Sequence, residues 1–470
     1  MFLAFKDGCL ANSLNLCSVF CGIEKIKKGI MTKFKASTRR DLPQIADKLN
    51  LDTEQIIDMQ AVSAVLPFRV NDYVIENLIE SADVPDDPIF QLTFPQRGML
   101  DEVDYKHMRD LVVSGASEAD IKLAADRIRK KLNPHPAGQM ELNVPKLEGE
   151  VVAGMQHKYQ ETVLFFPSQG QTCHAYCSYC FRWAQFVGDS DLKFASKEAE
   201  NLARYVRENP QVSSVLITGG DPMVMKTSVL RRYIDPLLKE DLPNLHSIRI
   251  GTKALAYWPH RFTEGDDADD FLRLIEDVKA AGKHLALMAH SSHSRELEPD
   301  IAQLAVKRVI DAGAVIRCQA PLIRKVNDNA NVWAQLWRKQ VQLGMVPYYM
   351  FVERDTGAKA YFEVPLVRAL KVFTEAYNQV SGLCRTVRGP SMSASPGKVL
   401  VDGVAEVEGE KVFVLKFLQG RDPDWVNRIF FAKYDPKATW LDGLKPAFGK
   451  DAFFFENLTQ KPIHKSYRKL

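Results

Sequence analysis

The chain has 470 residues with Lys+Arg 62 against Asp+Glu 59, a formal net charge of +3, and so near a balance leaves no electrostatic footprint for nucleic acid or a membrane surface. Hydrophobic residues make up 46% and charged residues 26%, a mix that excludes disorder as the main state and fits a globular protein of two or three domains. No apolar run approaches the roughly 18 residues that span a bilayer, and eight cysteines in a chain this long are too few for a disulfide scaffold.

Residues 1–30 contain Cys9, Cys17 and Cys21, but Lys6 and Asp7 interrupt any apolar core of a signal peptide and no A-x-A site follows. This stretch reads as a poorly ordered extension or an artefact of start-site choice, without a second cysteine pair that would make a metal site. A cytoplasmic location is expected. Residues 31–150 read as a helical, polar accessory region. Thr38-Arg39-Arg40-Asp41 opens one segment, and Ser117-Glu118-Ala119-Asp120 caps another that runs amphipathically to Leu132. Pro134, Pro136, Gly138, Pro145 and Gly149 then punctuate the chain as a linker does.

Over residues 151–352 six short apolar runs recur with helix-length spacers: Thr162–Phe166, Ser214–Thr218, Ser247–Gly251, His284–Ala289, Ala314–Gln319 and Val346–Val352. Alternation of strand and helix predicts an α/β fold with a parallel sheet, its strands buried on both faces, and six units predict a partial (β/α)6 barrel. The active site is then expected at the C-terminal ends of the strands. Residues 353–417 are irregular, with a Pro/Gly/Ser segment at Gly389–Gly397, and residues 418–470 read as an aromatic-rich tail.

Cys173, Cys177 and Cys180 stand in a C-x3-C-x2-C pattern just after the first run. Three thiolates on a tight loop can hold three irons of a [4Fe-4S] cluster and leave the fourth iron open to a small molecule. A structural zinc knuckle using His174 is the plainer alternative, but zinc sites favour paired C-x2-C units and no second pair follows. With an aromatic residue beside its last two cysteines, the triplet resembles the signature of the radical S-adenosylmethionine (SAM) superfamily. There SAM chelates the open iron and is cleaved to a 5'-deoxyadenosyl radical. Leu216-Ile-Thr-Gly219-Gly220-Asp221-Pro222 resembles that superfamily's glycine-rich SAM motif, where backbone without side chains approaches the methionyl amino group.

Over roughly Lys158 to Lys398 the resemblance narrows to the lysine 2,3-aminomutase family. Arg249-Ile-Gly-Thr-Lys253, His290-Ser-Ser-His293, Gln319, Arg324-Lys-Val-Asn-Asp328 and Pro347-Tyr-Tyr349 look like family motifs in family order. The resemblance implies that Arg249, His290 and Gln319 line the SAM pocket. Asn327-Asp328 also reads as a helix N-cap before Ala330–Leu343. Ser391-Met-Ser-Ala-Ser-Pro396-Gly397-Lys398 resembles the Pro-Gly loop whose lysine forms a Schiff base with pyridoxal 5'-phosphate (PLP). Desolvation of such a lysine would lower its pKa towards nucleophilic reactivity. A phosphate-loop reading fails, because the spacing is not that of a Walker motif and Val399 replaces the Ser/Thr. A solvated surface lysine is the plain alternative.

By the same resemblance Lys158 and Tyr159 meet the PLP phosphate, Arg182 grips the substrate α-carboxylate, and Tyr179 stands where lysine enzymes carry a histidine. Lysine-specific relatives hold the distal ammonium with two aspartates. Their places fall here on Arg354, which Glu353 and Asp355 flank, and on Ser391. A guanidinium at that place disfavours an ammonium and suits an acidic or neutral side chain. The resemblance thus implies a radical SAM, PLP-dependent 2,3-aminomutase whose small-molecule substrate is an amino acid with an acidic or neutral side chain. It also implies an electron donor such as flavodoxin or ferredoxin, and a homo-oligomeric state. The alternatives are a lysine 2,3-aminomutase on free or protein-bound lysine, a PLP-independent radical SAM enzyme, and a non-catalytic iron–sulfur protein.

Overall fold

The computed structural model describes residues 32–133, 143–187, 194–196, 198–239 and 242–456. The expectations for residues 1–30, for Cys9, Cys17 and Cys21, and for Pro134, Pro136 and Gly138 lie outside them. In the N-terminal region the two expected caps form. The Asp41 carboxylate accepts the Thr38 N–H at 2.7 Å, and Ser117 Oγ accepts the Asp120 N–H at 3.2 Å. Three longer helices follow, α1 (Thr53–Val65), α2 (Glu102–Val113) and α3 (Glu118–Leu132). They build a core that includes Val62, Val65, Phe90, Met108 and Ile128 and continues into Tyr179, Trp183 and Tyr257 of the region beyond.

Among the described residues one sheet of eleven strands organises the rest. Its strands are β1 (Met155–Tyr159), β2 (Thr162–Phe165), β3 (Ser214–Ile217), β4 (Ser247–Thr252), β5 (His284–His290), β6 (Val315–Leu322), β7 (Val346–Val352), β8 (Arg388–Ser393), β9 (Gly397–Val407), β10 (Glu410–Gly420) and β11 (Ile429–Lys433). They lie side by side in chain order. β2 to β8 run parallel, and β1, β9, β10 and β11 are antiparallel additions at the two ends. Each of the six apolar runs is a strand, β2 to β7. Helices α4 (Ala199–Glu208), α5 (Thr227–Lys239), α6 (Gly265–Ala280), α7 (Asp300–Asp311) and α8 (Ala330–Gln342) make the crossovers. A parallel pair needs such a connection because the chain must return to the same edge before the next strand begins.

The expectation of strands apolar on both faces is corrected. Val163, Phe165, Val215, Ile217, Ile248 and Leu287 are buried against the crossover helices in one core with Leu202, Ile234 and Phe271. The alternate positions, Leu164, Leu216, Arg249, Met288 and Gln319, line a cavity of about 850 Å3. Side chains alternate with period two along a strand, so the polar residues inside these runs face the cavity while their neighbours face the helices.

Two further corrections concern the C-terminal third. Residues 353–417, expected to be irregular, hold α9 (Leu366–Asn378), the parallel strand β8 and most of a long hairpin. That hairpin, β9 and β10, turns at Glu408-Gly409, both at positive φ, where a two-residue turn matches the twist of the strands. The aromatic residues of 418–456 do not form a tail: Trp425, Phe430, Phe453 and Phe455 pack with Phe417 of the hairpin into a third core. The β1 edge of the sheet also reaches the segment just past β8, since Lys158 at the end of β1 donates through Nζ to the carbonyl of Ala394. No helix among the described residues is long and apolar enough to cross a membrane.

Candidate active site

The cysteine loop leaves β2 through a turn at Ser168–Gly170, and Cys173, Cys177 and Cys180 line the cavity as free thiols. The helical region expected to be accessory is what holds this loop. The Tyr176 N–H donates to Arg69 O at 2.8 Å, the Ser178 N–H to Leu92 O at 2.9 Å, and Ser178 Oγ to Gln91 O at 2.7 Å. Asn71 Nδ2 donates to both His174 O at 3.1 Å and Tyr257 O at 3.0 Å, while its Oδ1 accepts the Val74 N–H at 3.0 Å. Asn71→Ala would strand these buried groups, each costing about 1–3 kcal/mol. Chemical denaturation is expected to show a loss of about 3 kcal/mol in total, and an unchanged midpoint would contradict the clamp.

The glycine loop after β3 docks directly on the cysteine loop. The Gly220 N–H donates to Gly170 O at 3.0 Å and the Asp221 N–H to Thr172 O at 2.7 Å. A Cβ on Gly219, at φ +156°, would meet Gln171 Nε2 at 2.4 Å, and one on Gly220 would meet Thr172 O at 2.4 Å. Much of the room freed by the two glycines is therefore filled by the chain itself. Asp221 accepts from Thr252 Oγ1 at 2.7 Å, the Lys253 N–H at 2.8 Å and the Met223 N–H at 2.9 Å, which ties the loop to β4. Burial lifts its carboxyl to about 6 even against these bonds.

Lys398 forms the opposite wall on β9. Its Nζ lies 4.0 Å from the ring centroid of Tyr349 and 5.3 Å from that of Phe351. Burial, helped by the nearby charges of Arg388 and Arg249, lowers its pKa to about 7. This is a desolvated amine facing a cavity and not a solvated surface lysine. Lys158 and Tyr159, at the end of β1, line the same cavity, and burial with the Arg421 and Arg354 charges drives the Lys158 pKa well down.

Gly219, Gly220, Asp221, Arg249, His290, Gln319, Arg182 and Arg354 also line the cavity. His290 Nε2 is 2.8 Å from the Tyr179 hydroxyl, and burial holds its imidazole neutral. Arg182 donates to Gln171 Oε1 at 3.1 Å and lies over the Phe166 ring at 4.4 Å. Arg354 lies between Phe181 at 5.5 Å and Trp440 at 5.6 Å, with Asp355 Oδ1 at 3.7 Å. Ser391 is not brought to the cavity. It is fully buried in β8, and the tight turn closed by the Gly397 N–H on Ala394 O leaves Ser393, Ala394 and Ser395 at the wall instead. Nor does Asn327-Asp328 cap α8, a place taken by Asn329; Asn327 binds Ser292 O, Pro321 O and the Ile323 N–H.

The residues present fit the groups that the sequence motifs imply. Arg182, Arg249 and Arg354 each leave a buried Nε without a hydrogen-bond partner. Three orphaned guanidinium donors on one cavity suit anionic ligand groups such as carboxylates and phosphates. Among the described residues no three His, Cys, Asp or Glu side chains converge as a single metal ion requires, while three thiols spaced along one loop suit a group of several irons. Sequence reasoning missed the contribution of Gln419, Arg421, Trp440 and Asp442 to the cavity, from the segment read as a tail. Glu353, which flanks Arg354 in the sequence, is buried at the cavity with neither carboxyl oxygen bonded, and burial pushes its carboxyl well up.

No family model matches the chain. Among curated proteins it is 29% identical over 390 residues to a provisionally named L-lysine 2,3-aminomutase of Aquifex aeolicus, covering 83% of this chain and 90% of the relative. It is 27% identical over 235 residues to the L-lysine 2,3-aminomutase of Bacillus subtilis, covering 50% of this chain and 47% of that protein. The Escherichia coli L-lysine 2,3-aminomutase is 27% identical over 256 residues, or 54% of this chain and 69% of that one. Among solved structures a radical SAM methyltransferase from Sphaerobacter thermophilus aligns with TM-score 0.36 and 15% identity over 61% of this chain and 92% of its own.

Proposed function

We propose that the chain, similar over most of its length to a relative named for L-lysine 2,3-aminomutase, is a radical SAM, PLP-dependent aminomutase moving an amino group from C2 to C3 of an amino acid. The observation that carries this reading is one cavity lined at once by the cysteine triplet, the glycine loop and a desolvated Lys398. The sheet then serves as a partial barrel of the radical SAM type, in the cytoplasm, with reducing equivalents drawn from a flavodoxin- or ferredoxin-like donor.

In this reading Cys173, Cys177 and Cys180 hold a [4Fe-4S] cluster. Gly219, Gly220, Arg249, His290 and Gln319 surround SAM, and Asp221 shapes the loop from behind. Lys158 and Tyr159 face the PLP phosphate, and Lys398 presents the amine that anchors PLP. Together the bound groups supply a hydrogen-abstracting radical and a conjugated acceptor for the migrating nitrogen. The protein's own part is orientation. Arg182, stacked on Phe166, fixes the α-carboxylate, and the aromatic walls of Tyr349 and Phe351 keep water from Lys398.

Arg354 marks the substrate's distal end. A guanidinium 4 Å from a substrate ammonium would repel it by about 4 kcal/mol at an effective dielectric near 20, about a thousandfold in affinity. An acidic or neutral side chain is therefore the proposed substrate. Competition of lysine, glutamate and aspartate in the reconstituted enzyme tests it, and Arg354→Asp is expected to gain lysine turnover. A second reading, lysine itself, draws on the unbonded Glu353 carboxyl in the same cavity and on the relatives' names. Efficient β-lysine formation, undiminished beside the acidic substrates, would establish it over the first.

A further inference from the structure

We propose that Tyr257, backed by the Lys253–Glu296 ion pair, sets the reduction potential of the iron–sulfur cluster by acting on the sulfur of Cys177; the inference rests on the cysteine assignment above. Tyr257 closes a short helix, Ala254–Tyr257, directly after β4, and is buried. Its hydroxyl lies 3.7 Å from Cys177 Sγ, within reach of an O–H···S bond. Behind the ring, Lys253 Nζ lies 4.5 Å from the ring centroid and 2.5 Å from Glu296 Oε1.

This arrangement is fixed from several sides. The Glu296 side chain is wholly buried, and its other oxygen accepts the Ser292 N–H at 2.5 Å and the His293 N–H at 3.1 Å. Lys253 Nζ also donates to His290 O at 3.4 Å. Tyr179 approaches Cys177 as well, but its hydroxyl stands 2.8 Å from His290 Nε2 and 3.5 Å from Ser292 Oγ. Cys177, Lys253 and Tyr257 line the same cavity, and the Lys253–Glu296 pair has no part in substrate or cofactor recognition as derived above.

The physical consequence has a sign. On reduction one electron passes from the donor, dithionite in the assay below, to the cluster, which goes from the 2+ to the 1+ state. No bond to Cys177 forms or breaks and no proton moves. A hydrogen bond to the thiolate and a buried ammonium both favour the electron-richer state, and hydrogen bonds to the sulfurs are a known determinant of cluster potential. A buried carboxylate beside the ammonium opposes it.

The test is an EPR-monitored reductive titration of the full-length, anaerobically reconstituted protein, with and without SAM. Tyr257→Phe and Lys253→Met are expected to move the midpoint to more negative potential, so that the reduced fraction at a fixed potential falls several-fold. Glu296→Gln, which keeps an acceptor for the Ser292 and His293 N–H groups, is expected to move it the other way. Tyr257→Phe keeps the ring in place, so the test stands even if Lys253→Met does not fold. A cluster whose midpoint ignores Tyr257→Phe, or which shifts in the same direction for Lys253→Met and Glu296→Gln, overturns the inference alone. A wild-type protein that takes up no cluster overturns the cysteine assignment together with it.

Discussion

Replacing Cys173, Cys177 and Cys180 together by Ala is expected to abolish SAM cleavage outright, with 5'-deoxyadenosine falling to the level of a reaction without protein. Three thiolates are the whole protein ligand set in this reading, so no partial occupancy can substitute for them. The brown chromophore of the anaerobically reconstituted protein should vanish too. The fold should survive, because the loop is held by main-chain bonds to Arg69, Gln91 and Leu92 and by Asn71, not by its sulfurs. The three side chains face the cavity, so truncating them leaves the loop's main-chain bonds in place. Circular dichroism and denaturation therefore separate loss of the cluster from loss of structure. Deoxyadenosine formed by the triple variant under dithionite would disprove the assignment.

Lys398→Ala is expected to remove covalent capture of PLP entirely. In the wild-type protein, borohydride after PLP addition should fix the cofactor to the peptide carrying Lys398. The pH dependence follows from the lowered pKa of about 7. At neutral pH about half of this amine is uncharged, against about one in three thousand for a lysine of ordinary pKa. Capture should therefore rise between pH 6 and 8 and level off above, whereas an ordinary lysine would still be gaining at pH 9 to 10. Label on a different lysine, or no visible band after PLP addition, would end the PLP half of the proposal. A capture rate still climbing in proportion to hydroxide above pH 9 would show that Lys398 is not desolvated.

What the sequence determined by itself is the part written in local pattern. The strands β2 to β7 were legible because each apolar run is bounded by a helix-length spacer, whereas the cavity that one face of the sheet lines was not. The cysteine triplet, the Gly219-Gly220 turn and the Ser117 cap were legible for the same reason, since each works within a few residues of chain. The tertiary structure alone decided what depends on contacts between distant segments. Asn71 clamps a loop a hundred residues away. Arg421 and Trp440 reach the cavity only because aromatic residues read as a tail pack under the β9–β10 hairpin. Ser391 sinks into β8 because a tight turn, not a residue count, decides where the wall begins. Burial has the same origin: whether Lys398 is a reactive amine or a surface cation depends on the rings of Tyr349 and Phe351 beside it. Desolvation is a property of the space that many segments enclose, and no stretch of sequence holds it alone.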